Sequence, residues 1–265
     1  MHRFDYHHHT NHSFDSRETM VNVCEKAAEL KLDVICFTEH FTFNPNVPTY
    51  GHMDWEAYEA DIANVQELYK GKLEIRKGIE LCEPNLFKER YEDLFRHKNI
   101  DYILGSVHNV DDVKLRKVLA AHGKNDAYRL YFERLLTMVT EADIDVIAHL
   151  DLIKRYQNEA FSKDDFALHA DIITAILQTA IRRGIGLEVN TSTIEKLGEP
   201  MPARAILELY HSLGGIIITY GSDSHSTVRT GEYMGETMEM LKQVGFDYVY
   251  TFKNRKAEPH EIEVD

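Results

Sequence analysis

The chain has 265 residues, 43% apolar and 28% charged, with only 14 Gly and 6 Pro; this excludes collagen-like, low-complexity and disordered classes and predicts a single domain with a full core. Its 30 basic and 44 acidic residues leave a formal charge of −14, a field that repels phosphate backbones, so a small or cationic substrate is expected and nucleic acid is not. Three cysteines outside any CxxC, an N-terminus without an apolar leader and the lack of a bilayer-length apolar run predict a cytoplasmic protein with core thiols and no membrane partner.

The elements follow in alternation. A strand is predicted over Arg3–Tyr6, a helix over Arg17–Leu30, a strand over Val34–Phe37, a helix over Trp55–Tyr69 and a strand over Leu73–Ile79. A helix over Phe87–His97 leads to strand Tyr102–Val107, helix Asn125–Ala142, strand Val146–Ala148 and helix Lys163–Arg183. Strands over Ile185–Val189, Ile216–Tyr220 and Tyr248–Phe252 enclose helices over Ala203–Ser212 and Glu232–Val244. Seven or eight βα units without a linker or repeat predict an α/β fold, one closed TIM-like barrel spanning 1–265. A doubly wound sheet is the fallback, but no GxGxxG follows the first strand.

Barrel enzymes place their chemistry where strands end. Here the successive ends read His7-His8-His9, Thr38-Glu39-His40, Gly78-Ile79-Glu80, Ser106-Val107-His108, His149-Leu150-Asp151, Glu188-Val189-Asn190 and Ser222-Asp223-Ser224-His225. Alternation along a strand puts His7 with His9 and Asp223 with His225, leaving His8 on the other side. An HxH and a DxH, each offering two ligands from one strand end, are what a barrel needs to gather metal at its mouth.

Each residue taken alone has a plainer explanation. The His triplet resembles a tag remnant, yet it is short and embedded in a strand; single buried histidines usually satisfy the core. Their coincidence at equivalent strand ends favours a metal site. Asp15 by itself reads as a helix cap, and Glu80, between an apolar strand and Pro84, reads either as a solvated turn residue or, as favoured here, as a carboxylate able to bridge two cations. His2, His52, His97, His122, His169, His211 and His260 fall away from the strand ends and read as structural or exposed.

The ordered segments DYHHHTNHSFDS, FTEHF, GIE, ILGSVH, AHLDLIKRY, LEVNTS and TYGSDSH resemble the PHP (polymerase and histidinol phosphatase) family, in particular its histidinol-phosphate phosphatase branch, along nearly the whole chain. The resemblance implies a distorted (β/α)7 barrel holding three divalent transition-metal ions, zinc, manganese or iron. It implies His7, His9, Glu80 and Asp223 around the first, Glu80 as a bridge with His108 and His149 around the second, and Asp15, His40 and His225 around the third. Some members carry His where this chain has Asp15.

The implied reaction is hydrolysis of the phosphate monoester L-histidinol phosphate, in histidine biosynthesis, by a hydroxide held between the two ions that share Glu80. Glu80, Asp223 and Arg155 are then the catalytic set, Arg155 offering a planar fork to the phosphate oxygens, with Arg229 as its competitor and Lys154 or His12 assisting. Glu39, Glu83, Asp151 and Glu188 are candidates to receive the substrate's amine. The alternatives are a phosphoesterase acting on another small ester or a nucleotide, an amidohydrolase-type barrel, which leaves Asp15, His40 and His225 without a task, and a metal-binding scaffold without activity. Nothing in the sequence speaks to oligomeric state.

Overall fold

A computed structural model describes residues 2–263. Seven parallel strands follow one another around a barrel: Phe4–His8, Val34–Phe37, Glu74–Cys82, Tyr102–Ser106, Val146–Ile147, Gly186–Asn190 and Ile218–Gly221. The ring is drawn together by a parallel bridge between His8 and Ser224. The Asp223 N–H donates to the His7 carbonyl and the His9 N–H to the Ser224 carbonyl, both at 2.9 Å. The first strand and the chain beyond the seventh thus meet at the residues expected to carry chemistry.

The strands are short, buried on both faces and rich in apolar side chains, as parallel strands beneath helices must be. The helices start and stop on local signals. Thr19 caps Met20–Glu29 by accepting from the Asn22 N–H, and Ser162 with Asp165 forms a capping box on Lys163–Arg183, which ends at a left-handed Gly184. That helix buries Ile172, Ile173, Ile176, Leu177 and Ala180.

One expected barrel strand is not in the barrel. Tyr248–Lys253 pairs antiparallel with Lys256–Glu261 as a separate hairpin. A β-branched run shows a preference for strand but not the partner it will find, and here the partner is the next segment of chain. The hairpin covers the floor: the Phe252 carbonyl accepts from the Tyr6 hydroxyl at 2.9 Å, and the Phe252 ring lies 5.1 Å from that of Tyr102. At the hairpin turn, Arg255 grips Asp143 at 2.7 and 2.9 Å and Asp145 at 3.0 Å.

The first strand carries an irregularity that matters above it. Its register against the second strand shifts between Asp5 and His8. Tyr6 packs onto Tyr102, with ring centroids 5.2 Å apart, while the next residue, His7, meets Glu80 at the opposite end of the barrel interior. A regular strand would send successive side chains to opposite faces.

Candidate metal centre

Glu80 lies at the middle of the mouth, fully buried, and its two oxygens divide the surrounding rings. Oε1 lies 2.9 Å from His149 Nε2 and 3.4 Å from His108 Nε2. Oε2 lies 2.8 Å from His40 Nδ1, 3.3 Å from His7 Nε2 and 3.5 Å from His9 Nε2. Asp223 Oδ1 approaches His9 Nε2 at 3.3 Å and His7 Nε2 at 3.6 Å. Asp15 Oδ2 closes the outer side, 3.3 Å from His225 Nε2 and 3.5 Å from His40 Nε2.

The strand ends make this convergence possible, and local backbone departures complete it. His149 (φ 26°) and Asp223 (φ 50°) both sit in left-handed conformations that ordinary residues avoid, where the strand gives way to its loop. Gly221 is dictated by space, since a Cβ there would collide with His7 and the Glu188 carboxylate.

Neighbouring groups fix the hydrogens of the rings. His7 Nδ1 is 2.5 Å from Glu188 Oε1, an acceptor, so its hydrogen resides on Nδ1 and its Nε2 carries a lone pair. His225 Nδ1 faces the Asp223 carbonyl at 3.2 Å, with the same outcome. The Ser106 hydroxyl donates to the Leu81 carbonyl and so accepts from His108 Nδ1, at 3.3 Å. His9 Nδ1 meets the Ser13 hydroxyl at 3.1 Å, and that hydroxyl lies 2.6 Å from Glu39.

The Nε2 atoms of His7 and His9 therefore face each other at 3.0 Å with carboxylate oxygens around them. Such a gathering of nitrogen and oxygen acceptors suits a cation, whether ring hydrogens or a metal ion. The atoms fall into four overlapping sets mutually within 4.8 Å, namely His7–His9–Asp223, Glu80–His108–His149, His9–His40–His225 and His40–Cys82–His108, and this mixture of imidazole, carboxylate and thiol suits divalent metal ions.

Electrostatics agree. Burial works against the charge on Glu80 and Asp223, yet the facing imidazoles hold both well below the usual carboxylate range. His9 is driven well below the ordinary histidine value by burial and then by the rings of His40 and His225, and burial lowers His108 to about 3, so both are neutral as ligands must be. At His7 burial is outweighed by Glu188, Asp223 and Glu80, which raise it, the sign of a strongly cation-attracting position.

The expected substrate contacts separate into different environments. Arg155 stands at the mouth, 42% exposed, with Nη1 3.7 Å from Asp223 Oδ2. Arg229 instead braces the seventh loop, donating to the carbonyls of Ser192, Ser222 and Asp223. His12 Nε2 is held 2.9 Å from Asp61. Lys154 must be corrected: it is fully buried, and its ammonium reaches Asp151 at 2.9 Å, Glu199 at 2.8 Å and the Pro200 carbonyl at 2.7 Å, three partners for three hydrogens. It has none left for a substrate.

The four candidate amine receivers are buried and engaged by neighbouring groups, though Glu83 Oε2 and Asp151 Oδ1 have no hydrogen-bond partner among the described residues. Glu188 holds His7 and the His149 N–H, Glu39 holds Thr10 and Ser13, Asp151 holds Lys154 and the Ala203 N–H, and Glu83 holds the N–H groups of His108 and Asn109. Cys82, read from sequence as a core thiol, lies with its sulfur 3.3 Å from His108 Nδ1, and burial pushes the thiol up to about 11. Its place two residues after Glu80, on the same strand face, was the available signal.

Residues 5–192 match the PHP domain. The chain is 28% identical over 247 residues to a protein named probable histidinol-phosphatase from Thermotoga maritima, covering 92% of this chain and 94% of that one. It is 27% identical over 274 residues to the histidinol-phosphatase of Lactococcus lactis subsp. lactis, covering 97% of each. Its structure is similar to that of histidinol phosphate phosphatase from Lactococcus lactis subsp. lactis in complex with zinc, L-histidinol and phosphate, with a TM-score of 0.85, 26% identity and coverage of 97% and 99%.

Proposed function

The chain belongs to the PHP domain family, and from that premise we propose that it is a metal-dependent phosphomonoesterase that hydrolyses L-histidinol phosphate to L-histidinol and phosphate. The observation that carries the reading is the division of Glu80, one oxygen toward His108 and His149 and the other toward His7, His9 and His40. A carboxylate so placed is suited to bridging two ions.

In this reading His7, His9, Glu80 and Asp223 hold one ion, Glu80, His108 and His149 a second, and Asp15, His40 and His225 a third, with His9 also within reach of the third group. Divalent ions supply positive charge to the phosphate dianion and lower the pKa of a bound water. The protein's own contribution is positional. Glu188 fixes the ring of His7, and the 2.8 Å bond from the His149 N–H to the same carboxylate ties the fifth strand end to the sixth.

Arg155 binds the non-bridging phosphate oxygens, since its guanidinium is exposed at the mouth beside Asp223 whereas that of Arg229 is spent on backbone carbonyls. The substrate is drawn from the names of relatives that match more than nine-tenths of this chain and from the ligands of the similar crystal structure. Cys24, Cys36 and Cys82, all buried free thiols, suit a reducing cytoplasm. Among the described residues no helix is long and apolar enough to cross a membrane.

The test is a phosphate-release screen on chelated protein with zinc or manganese added back, comparing L-histidinol phosphate, other small monoesters and a dinucleotide, alongside elemental analysis. The expected result is the highest kcat/KM for histidinol phosphate and more than two metal equivalents per chain. A preference for the dinucleotide points to the diesterase alternative, and two equivalents or fewer at saturation removes the third ion.

A further inference from the structure

We propose that Glu39 is a positioning residue that sets the tautomer of His9 through the Ser13 hydroxyl, and so turns the Nε2 lone pair of that ring into the metal cluster. The inference rests on the reading of His9 as a metal ligand.

The Ser13 hydroxyl has one hydrogen and three neighbours. The His40 N–H can only donate, so the hydroxyl oxygen accepts there, at 3.0 Å. The single hydrogen must then choose between Glu39 Oε2 at 2.6 Å and His9 Nδ1 at 3.1 Å. Glu39 wins on two grounds. A carboxylate is the stronger acceptor at the shorter distance. It is also locked in place, fully buried, receiving the Thr10 N–H at 3.0 Å and the Thr10 hydroxyl at 2.6 Å.

With its hydrogen given to Glu39, Ser13 accepts from His9 Nδ1–H. His9 Nε2 is left bare, facing Asp223 at 3.3 Å and Glu80 at 3.5 Å. The ring has no freedom to turn over, because it is stacked between His40 and His225 at centroid distances of 4.2 and 4.3 Å. The two histidines of the first strand thus reach the same state by different routes. His7 touches its carboxylate directly, and His9 reaches its own through a hydroxyl.

Glu39→Gln is nearly isosteric but can present an N–H to Ser13. The hydroxyl hydrogen is then released toward His9 Nδ1, and the ring hydrogen moves to Nε2, where it points at the metal. Replacing an outer partner of a metal-bound histidine typically weakens metal binding by about 10- to 100-fold.

The experiment uses the full chain with nitrogen-labelled histidine. Long-range nitrogen–proton correlation spectra of metal-stripped protein report which nitrogen of His9 carries the hydrogen, and equilibrium dialysis measures zinc retention. In the wild type and in Glu39→Asp the hydrogen is expected on Nδ1. In Glu39→Gln it is expected on Nε2, with zinc retention weakened about tenfold or more. Ser13→Ala removes the relay and should weaken zinc to a similar degree, and Glu39→Gln should add nothing to it.

The proposal is overturned if Glu39→Gln keeps the hydrogen on Nδ1, if its zinc retention stays within about twofold of wild type, or if the two losses multiply. Should Glu39→Gln fail to fold, unchanged zinc retention in Ser13→Ala overturns it instead. A wild-type protein that retains no zinc or manganese defeats the functional reading while leaving the tautomer result to stand or fall separately.

Discussion

The two ends of the barrel handle charge in opposite ways. At the floor, charges meet opposite charges: Arg255 grips Asp143 and Asp145, and Arg76 pairs with Glu74 while its Nε donates to the Phe252 carbonyl. At the mouth, potential metal ligands crowd one another, as where His7 and His9 turn their Nε2 atoms on each other at 3.0 Å beside Glu80 and Asp223. The floor is complete by itself and its worth is stability. The mouth is arranged to receive cations, and its worth lies in that arrangement. Substitutions at the two ends should therefore be separable in their readouts.

The sharpest break in that contrast is Glu80→Gln, which keeps shape and removes the charge that faces both groups of rings. Activity toward a phosphate monoester should fall by about 10³-fold or more, with the far-ultraviolet circular dichroism unchanged. Turnover within tenfold of wild type at saturating metal would show that the mouth does not depend on its central carboxylate.

Lys154→Met comes next and tests where the boundary between the two regimes lies. Lys154 neighbours Arg155 in sequence but has the floor's character, buried and paired on all sides, so its loss should lower unfolding free energy by about 3–5 kcal/mol. Denaturant melts measure this. If stability is unchanged and only KM rises, the residue belongs with the substrate after all.

Arg155→Ala should cost about 2–4 kcal/mol in kcat/KM through lost phosphate stabilisation, while metal content stays the same. A wild-type kcat/KM in this variant, with the defect appearing in Arg229→Ala, moves the phosphate contact to the seventh loop. The smallest effect belongs to the floor: Arg255→Ala should lower stability by about 2 kcal/mol, since its partners are in part exposed, and leave kcat and metal content of the folded fraction alone. Loss of metal in that variant would mean that the ends are coupled.

How far the sequence revealed these regimes depends on the kind of information each needs. The mouth was legible because parallel strands all end at one side, so His7, His40, Glu80, His108, His149 and Asp223 could be assembled from strand ends alone. The direction of a side chain within a loop has no such rule. Glu39, Glu83, Asp151 and Glu188 read as receivers for a substrate amine, yet Glu39 and Glu188 have both oxygens engaged by neighbouring hydroxyls, amides and rings, and Glu83 and Asp151 have one each so engaged. Lys154 and Arg155 are adjacent and alike in charge, but a step of about 100° around a helix sends one inward and the other out. The hairpin of Tyr248–Lys253 was hidden for a related reason, because strand propensity is local and strand partnership is not.

The bridge between His8 and Ser224 has a consequence for biosynthesis of the chain. His7 and His9 leave the ribosome before Asp223 and His225, which follow more than two hundred residues later, roughly 10–40 s at ordinary elongation rates. During that interval a nascent chain owns some of the imidazoles of the mouth but lacks the last strand that closes the ring. The set that needs Asp223 must therefore await the seventh strand, whereas Glu80, His108 and His149 are all made by residue 149. Chains cut before Asp223 lack the closing strand and should hold metal less tightly than chains that include it.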